Sequence, residues 1–106
     1  MSDVQAEGKK GDGTVNHGTE IEDDVVLDVQ RGFPAIRWTR VEQTVEGHFG
    51  YRTFRLTRSG STWNCATVVG LVTPHYANSY WEAVRKAVEH CAASIEYEAA
   101  CVRAML

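Results

Sequence analysis

A chain of 106 residues with 43% apolar side chains can build one domain with a modest core, which leaves no room for a second. Its formal net charge of −3 excludes the uniformly basic surface of a typical polyanion binder. The charge is nevertheless uneven: residues 1–30 hold eight acids against two lysines (−6), residues 31–60 six arginines against two glutamates (+4), and residues 61–106 four acids against three bases (−1).

Residues 1–20 contain Gly8, Gly11, Gly13 and Gly18 and almost no large apolar side chain, too little to offset the entropy of ordering them. Residues 1–23 are therefore expected to form a disordered acidic, glycine-rich tail, and residues 24–106 a single domain. Glu20 to Asp28 then mixes acids with Val25, Val26 and Leu27, followed by Val29, and reads as one short strand ended by Gly32 and Pro34. As an edge strand it is available to a partner's sheet, and its acids are available as counter-ions to the arginines.

Three runs rich in Val, Thr, Tyr, Phe and Trp follow, at Ala35–Val45, Phe49–Thr57 and Thr62–Val72. Gly47 with His48, and Ser59-Gly60-Ser61, separate them at hairpin distance. The simplest topology is an antiparallel meander of three to four strands. The run from Ala66 to Val72 is apolar on both faces and is expected at the centre. With a helix on one face, the other face or its rim would carry Arg37, Trp38, Arg40, Tyr51, Arg52, Arg55, Arg58 and Trp63. Such a surface suits a protein partner. Aromatic platforms beside cations also suit single-stranded nucleic acid, the alternative reading. The plainer account makes the aromatics ordinary core and the arginines solubilising groups on strand edges.

From Ser79 to Leu106 the chain reads as one amphipathic helix. Ser79 and Glu82 have the spacing of a capping box, and Trp81, Val84, Val88, Cys91, Ile95, Ala99, Val102 and Leu106 recur every three or four residues. These fall on one stripe about 80° wide and about 42 Å long, longer than a small sheet covers. Ala83, Ala87, Ser94 and Cys101 flank the stripe and form an edge narrow enough for a second helix to approach. The expectation is a homodimer through this helix, with contributions from Ile95, Val102 and Met105.

No residue constellation points to catalysis, so no catalytic residue, cofactor or metal is expected, and the protein reads as a non-enzyme. His17, His48, His75 and His90 are scattered, and Cys65, Cys91 and Cys101 show no paired spacing. Cys65 with His75 is the one combination that merits testing as nucleophile and base. Glu82, Glu89 and Glu96 repeat along the polar helix face as solvated groups. Reduced thiols, with neither a secretory h-region nor a membrane-length apolar run, suggest a cytoplasmic protein.

A polar tail, a short meander and a terminal helix together look like the general build of small accessory and inhibitor proteins of phages and mobile elements. That resemblance of size and shape implies a non-catalytic protein that acts by occupying another protein's surface.

Overall fold

The computed structural model describes residues 18–106; of the tail expected over residues 1–23, residues 1–17 lie outside the described residues. The described elements run α1 (Asp23–Gly32), β1 (Arg37–Val41), β2 (Thr44–Phe49), β3 (Arg52–Ser59), β4 (Thr62–Val69), β5 (Leu71–Thr73), β6 (Tyr76–Ala77) and α2 (Tyr80–Ala104). The class is α+β: an antiparallel meander ordered β1-β2-β3-β4-β5, followed by one long helix. β6 also pairs with β4, so β5 and β6 share one edge, interrupted at Pro74 and His75.

The segment expected as a strand is the helix α1. Val25 and Val29 are both buried while Leu27 between them is 58% exposed, a pattern a helix produces and a strand does not, since a strand would set all three on one face. Asp23 and Asp24 in the first turn and Arg31 in the last complement the helix dipole. Gln30 ties α1 to the sheet: its Nε2 donates to the Ile36 carbonyl at 3.0 Å, and its Oε1 accepts from the Trp38 N–H at 2.9 Å. Ile21, assigned to the tail from sequence, is 2% exposed and belongs to the core.

The first hairpin also differs from expectation. Its turn is Glu42–Gln43, where Glu42 adopts φ +57°, and Gly47 and His48 lie within β2. The run read as one strand over Ala35–Val45 therefore contains β1, the turn and the start of β2. Glycines at positive φ make two of the later reversals, Gly60 (+63°) between β3 and β4 and Gly70 (+77°) between β4 and β5.

Register decides which side chains enter the core. Trp38, Gly47, Phe54 and Thr67 stand opposite one another across β1 to β4, and Val45, Leu56 and Cys65 form the adjacent row. Both rows face the helices. Val25 and Val29 of α1 and Ala83, Val84, Ala87 and Cys91 of α2 close over them. The opposite sheet face carries Arg37, Glu46, His48, Arg55 and Asn64, the alternation of an antiparallel sheet covered on one side.

Candidate functional site

The long helix starts where the sequence places it. Ser79 is extended and its Oγ accepts from the Glu82 N–H at 3.3 Å, satisfying one of the donors a helix start leaves open. In the first half of α2 the small-residue edge is consumed by the protein's own sheet. Ala83 and Ala87 are fully buried, and the Thr67 hydroxyl donates to the Ala87 carbonyl at 3.4 Å. These two residues are thus no seam for a second helix. Trp81 caps this half by packing against Phe33, with ring centroids 5.5 Å apart and the planes tilted by 48°, over the open face of Gly32.

The sheet's cover ends at Arg52. This guanidinium, 7% exposed, reaches from the start of β3 and donates to Glu98 Oε1 at 2.9 Å. Tyr51 supports the pair: its hydroxyl lies 3.4 Å from the same oxygen, and the guanidinium carbon sits 4.4 Å above its ring. This cluster fixes the direction in which α2 leaves the body. Beyond it Val102 (53% exposed) and Met105 (77%) face solvent, followed by Leu106, and one turn before it Ile95 is partly exposed. Backbone bonds from Met105 to Val102 and from Leu106 to Arg103, each 3.1 Å, continue the helix by one tight turn.

The apolar stripe does not begin in open solvent. Its inner end forms one wall of a groove of about 410 Å³, in which Val88, Cys91, Ala92 and Ile95 face Phe33, Pro34, Ile36 and Phe49. The α1–β1 connection and the end of β2 supply that second wall. Groove and outer stripe make one continuous apolar surface from Phe33 to Leu106, the kind a partner covers. The residues of the second wall went unnoticed in the sequence. The available signal was Phe33-Pro34 following Val25, Val26 and Val29, whose spacings of three and four to Val29 a helix places on one face.

The arginine and aromatic residues expected on one exposed face are divided by the register. Trp38 and Trp63 are buried: Trp38 packs 6.3 Å from Phe54, and Trp63 meets Tyr80 edge-on at 5.4 Å. Arg58 covers Trp63 at 5.4 Å and donates to the carbonyls of Gly60 and Glu20, at 2.8 and 3.1 Å. Arg40 binds the Ile21 carbonyl and pairs with Asp23 at 3.0 Å. Arg52 and Tyr51 serve the Glu98 cluster. Of the eight, only Arg37 and Arg55 share the open sheet face, and Arg55 lies 3.6 Å from Glu46, which is also 3.7 Å from His48. No aromatic ring of the eight stands beside these two.

Among the described residues, Cys65 and His75 are not aligned as nucleophile and base. Burial pushes the Cys65 thiol up to about 12, and His75 approaches the Cys65 carbonyl at 2.9 Å rather than its sulfur. Burial also raises Cys91, partly opposed by the nearby Arg52 charge. The His75 and His90 rings lie 5.0 Å apart. Among the described residues no group of three or more His, Cys, Asp or Glu could hold a metal ion, and no helix is long and apolar enough to cross a membrane. Compared with protein-family models, curated proteins and solved structures, the chain matches none.

Proposed function

We propose that this is a non-catalytic interaction protein that binds a protein partner through the apolar face of outer α2 and the groove beside it, and that it self-associates through the same surface. A small inhibitor or accessory factor works in this way, by occupying a surface rather than transforming a substrate. Its three unpaired cysteines suit the reducing cytoplasm.

One observation carries this reading: the stripe of α2 continues past the sheet with Ile95, Val102, Met105 and Leu106 exposed. Full burial of such side chains contributes about 1.5–3 kcal/mol each. A helix of 13 residues, the length from Ala92 to Ala104, is also marginal in water without packing on one face. A partner satisfies both requirements.

The test is the mass of the purified protein by light scattering coupled to size exclusion. Wild type is expected at twice 11.8 kDa at tens of micromolar. Val102→Asp is expected at the mass of one chain with its near-UV circular dichroism retained, because Val102 lies outside the core that holds Trp38 and Trp63. A Val102→Asp mass equal to wild type would sink the reading.

A further inference from the structure

The geometry points to a second copy of this chain as the occupant of the groove, with the two outer halves of α2 packed antiparallel and centred on Tyr97. This inference rests on the self-association proposed above and specifies its register. The stripe is complementary to itself when reversed about that centre. Ile95 then meets Ala99 of the second copy, Ala92 meets Val102, and Val88 meets Leu106. In the first two pairs a large side chain faces a small one, so knobs and holes coincide twice on each side of the axis. Leu106 of each copy reaches the groove of the other, where Phe33 and Phe49 widen the apolar floor beside Val88.

Neighbouring registers fit less well. Sliding by one turn in one direction sets Leu106 against Val84, which the sheet already buries completely. Sliding the other way sets Leu106 against Ala92 and leaves Phe33 and Phe49 uncovered. The charged flank agrees with the central register, since Arg103 comes near Glu89 of the second copy. Glu96 and its counterpart flank the axis at the solvent edge, where screening keeps a like-charge pair cheap. The contact runs along about 28 Å of helix, small for a specific interface, so dissociation in the micromolar range is expected.

Disulfide trapping reads the register directly. In a Cys101→Ser background, Ala92→Cys with Val102→Cys places two thiols about 15 Å apart on one helix, too far to bridge within a chain but opposite each other across the proposed interface. Mild oxidation of this variant is expected to convert most of the protein to a covalent dimer, with peptide mapping showing the 92–102 linkage. Ile95→Cys alone, in the same background, should remain uncrosslinked, because in this register it sits a full turn from its counterpart. A wild-type dimer in which Ile95→Cys crosslinks, or in which the 92–102 pair does not, overturns the register while self-association stands. A wild type of single-chain mass throughout overturns both.

Discussion

At Gly47 a Cβ would lie 2.6 Å from the Ile36 side chain and 2.8 Å from the Trp38 ring. The missing side chain is the space into which Trp38 packs, opposite Gly47 in the β1–β2 register. Gly47→Ala is expected to destabilise the fold by about 1–3 kcal/mol through overpacking, read as a lower denaturant midpoint at unchanged slope. An unchanged midpoint would remove Trp38 from this account of the core. The same glycine explains why the hairpin was misplaced in the sequence. Glycine ordinarily punctuates turns, whereas the actual turn residues Glu42 and Gln43 carry no such mark, and Glu42 takes up positive φ only because the strands on both sides align. A second residue-scale test concerns Tyr80, whose hydroxyl donates to Asp28 Oδ2 at 2.5 Å and joins the two helices. That bond lowers the Asp28 pKa and raises that of Tyr80. A lowered carboxylate contributes stability that is present above its unfolded value and lost as pH falls through the folded one. A raised phenol contributes stability that is present below its unfolded value and lost as pH rises through the folded one. Thermal unfolding of wild type should therefore weaken below about pH 4 and above about pH 10, and Tyr80→Phe should flatten both limbs. A variant that keeps the wild-type acid limb would show that Asp28 is held by something else.

Among the elements, α2 was legible almost to its boundaries because cap, period and length agree: Ser79, the 3–4 spacing, and no Gly or Pro before Leu106. The meander was legible from residue type and the Ser59-Gly60-Ser61 turn. The short element α1 was not. Val25, Val26, Leu27 and Val29 have the composition of a strand, and only the burial of Val25 and Val29 against Trp38 and α2 selects the helix. Mistaking α1 for a strand hid the candidate site as well, since Phe33 and Pro34 become a groove wall only when a helix delivers the chain across the end of the sheet. The length of α2 was legible too, and its last turns leave Val102 and Met105 exposed. Its direction depends on Arg52 and Glu98, 46 residues apart, a pairing no local pattern announces.

For the whole molecule, the sheet face bearing Arg37 and Arg55 and the apolar face running from Phe33 to Leu106 are separate surfaces, and the second is the larger demand for a partner. If the projecting half is covered by a protein surface in solution, as proposed, amide hydrogen exchange along α2 at two protein concentrations will report that cover. Slow exchange over residues 93–104 is expected in concentrated protein, with protection lost on dilution and in Val102→Asp, while residues 83–91, seated on the sheet, stay protected throughout. Exchange over 93–104 at the same rate in dilute and concentrated wild type and in Val102→Asp would contradict it.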